Sequence, residues 1–119
     1  MVVIFTLPER KGIYKVIQVR IDTEDYLVFD RIYHADALRG ILEKQRISFE
    51  TRETTDRRKI PLPRGPRYDL YGAGRVDFRP LDKTATFGSN SFDYDIGLDR
   101  QKIEEVRVQL PNWKIALSE

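Results

Sequence analysis

The sequence predicts a single α+β domain with a mainly antiparallel sheet, one helix and a β-rich C-terminal half. Three observations carry this. Residues 13–21 alternate apolar and polar side chains, residues 34–45 repeat apolar side chains at three- and four-residue steps, and the chain after residue 66 reads as short β-branched and aromatic runs separated by turns. At 119 residues the chain is too short for two independent cores, so residues 1–119 are expected to fold as one domain.

The elements follow in order. Residues 2–7 (VVIFTL) suit a strand that ends at Pro8, with the turn in PERKG. In residues 13–21 (IYKVIQVRI), Ile13, Ile17, Val19 and Ile21 share one face, and only Lys15 breaks the row. That pattern predicts a strand whose second face is partly solvated. The polar DTED at 22–25 turns the chain and YLVFD at 26–30 returns it, making an N-terminal hairpin.

Over 34–45 the spacing of Ala35, Leu38, Ile41, Leu42 and Gln45 predicts a helix. RISFETRE (46–53) then alternates as a strand. Residues 54–66 (TTDRRKIPLPRGP) carry three prolines; proline removes backbone donors, so an exposed loop is expected. Beyond it, strands are predicted at 67–71, 75–79, 84–87 and 92–96. EVRVQL (105–110) alternates and leads through Pro111–Asn112 into WKIAL (113–117), which favours a closing hairpin. The competing reading caps a helix over 100–110 with Asp99, placing Ile103, Val106 and Leu110 on one face. With that helix, residues 25–117 would run β-α-β-β-α-β, a ferredoxin-like order.

Composition bounds the chemistry. The chain is 40% hydrophobic and 34% charged, with 21 basic and 19 acidic residues and a net charge of +2. That balance lacks the field of a dedicated nucleic-acid binder. The absence of cysteine removes disulfides, thiolate nucleophiles and cysteine-ligated metals. No run approaches the roughly 18 apolar residues of a membrane span, and 2–5 is too short for a signal core. A soluble, cytoplasmic protein with no membrane partner is expected.

Gly72–Ala73–Gly74 invites comparison with a phosphate loop. A dinucleotide fingerprint needs a third glycine three residues on, where Asp77 stands, and a helix behind it. The segment is better read as a three-residue turn between 67–71 and 75–79. This pairs Leu70 with Val76 and Tyr68 with Phe78 on one face, and gathers Arg67, Tyr71, Arg75 and Arg79 on the other. Guanidinium forks beside an aromatic ring suit an anionic partner. The adjoining Arg57, Arg58, Lys59 and Arg64 add to a local surplus: 52–79 holds eight basic and four acidic residues.

The other constellations are thinner. Asp93 and Asp95 fall on one side of the 92–96 strand, but a calcium loop starting at Asp93 has leucine where its sharp turn needs glycine. The one histidine, His34, stands at the helix start with no nucleophile elbow elsewhere. Trp113 is expected against the core. No cofactor or metal is expected. The sequence therefore favours a non-enzymatic binding module for a protein or other anionic partner, with unpaired strand edges that would permit a homodimer. Nucleic acid is the less favoured partner. The alternatives are a ferredoxin-like small-ligand sensor and a hydrolase or nuclease using carboxylates or Arg/Tyr groups.

Overall fold

The computed structural model of the chain describes residues 2–118. Its strands are β1 (Val3–Ile4), β2 (Gly12–Ile21), β3 (Glu24–Asp30), β4 (Thr51–Glu53), β5 (Lys59–Pro61), β6 (Arg64–Gly65), β7 (Tyr68–Arg79), β8 (Thr84–Gly88), β9 (Asn90–Ser91), β10 (Ile96–Gly97) and β11 (Lys114–Leu117). Helix α1 (His34–Lys44) follows β3, and α2 (Arg100–Gln109) precedes β11. Among the described residues no helix is long and apolar enough to cross a membrane.

The main sheet has the order β1-β3-β2-β7-β8-β11, with β6 added along β7. It is mixed: the β2–β3, β2–β7, β6–β7 and β7–β8 ladders are antiparallel, while β1 runs parallel to β3 and β11 parallel to β8, one at each edge. The β2–β3 hairpin forms as predicted, turning on Asp22 and Thr23 with Asp22 at φ 54°. Asp25, expected in that turn, lies inside β3.

The two helices cover opposite faces. On one face Ile17, Val19 and Ile21 of β2 pack with Ala35, Leu38 and Leu42 of α1. On the other, Tyr14 and Val16 pack with Val76, Phe78 and Phe87 under Ile103 and Val106 of α2. Each large side chain fully buried there contributes on the order of 1.5–3 kcal/mol. Trp113 joins this second core, stacked on Phe78 with ring centres 5.3 Å apart. Gln109 clips the edge strand to α2: its Nε2 donates to the Val3 carbonyl and its Oε1 accepts from the Val3 amide.

The predicted turn at Gly72–Gly74 does not exist. β7 runs through it for 12 residues, hydrogen-bonded to β2 from Tyr68 to Phe78. Neither glycine has a positive φ. What they supply is room. A Cβ on Gly72 would lie 1.8 Å from Gln18 Oε1, and one on Gly74 would lie 2.5 Å from the Gly88 carbonyl oxygen. The register slips between Gln18 and Val19, which face Gly72 and Leu70, so Tyr71 is the extra residue of a bulge. The bulge reverses the parity of the strand. Tyr68 and Leu70 enter the α1 core, whereas Val76 and Phe78 enter the α2 core.

The favoured C-terminal hairpin is also corrected. Residues 100–109 are α2, capped by Asp99, whose carboxylate accepts from the Lys102 amide at 3.1 Å. Ile103 and Val106 are buried but Val108 is 79% exposed, so the alternation that suggested a strand has no buried face behind it. A parallel β8–β11 pair also needs a crossover element between its strands. Only 51–53 of the predicted 46–53 strand pairs, with β5. Residues 92–95 form a turn rather than a strand. The ferredoxin-like alternative meets its helix but not its sheet, for β2 separates β3 from β7 and β11 lies at the far edge beside β8.

Candidate functional site

On the α1 side, the helix and the 91–97 segment cover β2, β3 and β7 only as far as Ala73. Beyond that point, among the described residues, no helix joins a buried core on this face. Strand register brings Ile13 and Lys15 of β2, Arg75, Asp77 and Arg79 of β7, Thr84 and Thr86 of β8, and Lys114 and Ala116 of β11 onto one continuous surface. None of these residues is buried. Their local sequence explains this: past the bulge, β7 is charged on this face and apolar on the other.

The electrostatics of the surface are uneven. Lys15 stands directly opposite Arg75 across the β2–β7 ladder, with Asp30 on its other side. Like charges placed opposite are destabilising. Among the described residues neither Lys15 nor Arg75 makes an ion pair. The carboxylates nearby are already engaged. Asp77 meets Arg79 at 3.4 Å, and Asp30 accepts from the backbone amides of Ile32 and Tyr33. Lys114 is exposed at the sheet edge. Four cations thus share the surface with Asp77, paired to Arg79, and with Asp30, whose Oδ1 is taken by backbone amides.

The bulge separates Tyr71 from Arg75 and Arg79, so the predicted Arg/Tyr face is not assembled. Tyr71 points to the α2 side, where its hydroxyl is buried. Arg67 forms a two-pronged pair with Asp22 at 3.0 and 2.8 Å. Arg64 pairs with Asp69 at 2.9 Å. Across β7 the aspartates thus pair with near neighbours, Asp69 with Arg64 and Asp77 with Arg79.

The 54–66 segment is pinned rather than free. Tyr68 and Tyr94 donate to the carbonyls of Leu62 and Pro61. Arg58 grips both oxygens of Asp93 at 3.0 and 2.7 Å and lies 4.3 Å from the centre of the Tyr33 ring. The Asp93 and Asp56 carboxylates hold its guanidinium well above the usual pKa. Arg52 donates to the Asp93 carbonyl. Arg57 and Lys59 are exposed. Asp93 is thus engaged by Arg58, while Asp95 stands at φ 52° in the exposed turn. Among the described residues no three His, Asp or Glu side chains gather in a way that could hold a metal ion.

His34 begins α1 and is buried, with Nε2 2.7 Å from the Gly74 carbonyl oxygen. A carbonyl only accepts, so Nε2 carries the proton. Burial pushes the imidazole pKa down, against the opposing effect of that bond.

A second polar group lies under α2. The Asp25 side chain is fully buried, bonded by Arg20 at 3.1 and 3.3 Å and by Lys102 at 3.1 Å. Burial would raise its pKa, but the bonds and charges of Arg20 and Lys102 outweigh it and hold the carboxyl below the usual range. The sequence signalled this group poorly, since DTED reads locally as a turn. Lys15 did carry a signal, being the one charged break in an apolar row. No family model matches this chain, and neither does any curated protein.

Proposed function

We propose that the chain is a binding module that docks an acidic segment of a partner protein on the uncovered sheet surface bearing Lys15, Arg75, Arg79 and Lys114. The observation that supports this most directly is the opposed, unpaired Lys15 and Arg75. A carboxylate laid between them converts a repulsive cross-strand pair into two attractive contacts.

The make-up of the surface favours acidic protein over nucleic acid. Its uncharged positions are Ile13, Thr84, Thr86 and Ala116, and none offers the aromatic ring on which single-stranded bases stack. The engagement of both Asp93 oxygens by Arg58 weighs against the hydrolase reading. Arg57, Lys59 and Arg67 lie outside the docking surface and contribute at most to the long-range field.

The test is a titration of isotopically labelled protein with a short poly-glutamate peptide, followed by amide chemical shifts at rising salt. Shifts centred on β7, β8 and β11 that fade with salt are expected. The Arg75→Glu/Lys114→Glu double variant should weaken binding by about tenfold, equivalent to about 1.4 kcal/mol. Shifts centred elsewhere, equal binding by the double variant, or tighter binding of a single-stranded oligonucleotide would reject the assignment.

A further inference from the structure

Arg20 of β2 and Asp69 of β7 stand directly opposite each other across the ladder. Oppositely charged residues in that position ordinarily pair. Here they turn apart: Arg20 bonds Asp25, and Asp69 bonds Arg64. Between them opens a cavity of about 230 Å³, lined by Arg20, Asp69, Tyr71, Asp99 and Lys102.

We propose that this cavity, set between the bulge of β7 and the start of α2, binds a free α-amino acid. The assignment rests on which bonding capacity is still unspent. Among the described residues only two buried side-chain polar atoms lack a hydrogen-bond partner, Tyr71 Oη and Glu105 Oε2. Both belong to this neighbourhood. Tyr71 lines the cavity, while Glu105 Oε2 is held in an ion pair with Lys102 Nζ at 3.3 Å, so the Tyr71 hydroxyl is the atom left to satisfy. Native structures rarely leave such atoms idle, and a bound group is one of the few things that satisfies them.

The charges have two poles. Arg20 pairs with Asp25, and Lys102 with both Asp25 and Glu105, which still leaves N–H donors on each for an incoming carboxylate. Burial and the nearby Asp25 carboxylate, through its charge and its approach to the hydroxyl, raise the Tyr71 phenol, so it remains a neutral O–H donor. At the other pole, Asp69 and Asp99 each use one oxygen internally, toward Arg64 Nε and the Lys102 amide. Their second oxygens are suited to an ammonium group. The volume is below the roughly 300 Å³ at which drug-sized pockets begin and suits a ligand whose ammonium and carboxylate share one carbon.

The test is a titration of the labelled protein with the standard L-amino acids, alongside acetate and methylamine as the separated halves. At least one amino acid should shift the amides of Tyr71, Asp99 and Lys102. Acetate and methylamine should each bind about tenfold more weakly, reflecting loss of one charge-assisted pole. Tyr71→Phe should lose binding by a similar factor while its melting temperature holds or rises, because it deletes an unpartnered hydroxyl. Asp69→Asn, at a half-exposed position, provides a second variant that should fold normally and lose affinity for the ammonium pole. The proposal falls if no amino acid moves those amides, if both variants bind as well as the parent, or if acetate alone binds as tightly. None of these readouts involves β8 or β11, so failure here is distinct from failure of the poly-glutamate titration.

Discussion

The side chain of Gln18 closes both backbone groups of Asp99, 81 residues further along: Oε1 accepts from the Asp99 amide at 2.7 Å, and Nε2 donates to its carbonyl at 3.0 Å. Asp99 is the residue that caps α2, so one buried glutamine of the central strand sets where the second helix begins. Gly72 makes the space for it. A methyl group there would lie 1.8 Å from Gln18 Oε1 and 3.1 Å from the Asp99 amide nitrogen. Gly72→Ala is therefore expected to destabilise by about 1–3 kcal/mol through overpacking. Gln18→Leu, which abandons the buried Asp99 amide, should cost a similar amount. Urea denaturation checks both, and an unchanged midpoint in either would refute the arrangement.

Among the described residues Asp25, paired with Arg20 and Lys102, is the one ion-paired carboxylate that is fully buried. Asp25→Asn should cost about 3 kcal/mol, at the low end for breaking a buried pair because Arg20 remains half in water. Its folded pKa is depressed below the ordinary 3.8. The stabilisation is therefore fully present above that value and is lost as pH falls through the lower folded one. The variant should flatten the acid limb of a stability–pH profile below about pH 4.

His34 acts with the opposite chemistry in a different window. Burial lowers its pKa from the ordinary 6.5, so the unfolded chain binds a proton more readily than the folded one. Stability should be level above that pH and decline as pH falls below it. His34→Gln removes the titrating group, so the decline below the ordinary 6.5 should disappear from its melting curves.

Phe78 and Trp113 offer an optical report on the α2 core. Phe78→Ala should cost about 3–5 kcal/mol and red-shift the emission of Trp113, the only tryptophan, by removing the ring stacked on it. Unaltered emission would contradict the stacking.

Local signals were sound wherever the determining contacts lie close along the chain. Period two over 13–21 and the three- and four-residue spacing over 34–45 identified β2 and α1, and the polar DTED at 22–25 located the turn between β2 and β3, although Asp25 itself lies in β3. Each depends on side chains a few positions apart meeting one neighbouring surface. Residues 105–110 show where that logic stops. Val106 and Val108 alternate as a strand would, yet the cap at Asp99 and the burial of Ile103 and Val106 beneath the sheet carry the segment into a helix.

The candidate surfaces were legible in residue type but not in grouping. Arg75 and Arg79 were singled out and do share a surface, but with Lys15 and Lys114 rather than with Tyr71 and Arg67. One extra residue at Tyr71 decides this, because it reverses which side chains of β7 face each helix. The bulge forms where Gly72 accommodates Gln18, a contact that spans 54 positions and leaves no periodic trace. By itself the sequence determined the class of fold, its first helix, its first hairpin and the absence of thiol chemistry, all set by composition and by neighbours along the chain. The tertiary structure alone decided which charges stand unpaired and where a cavity opens, since both depend on register and packing between distant strands.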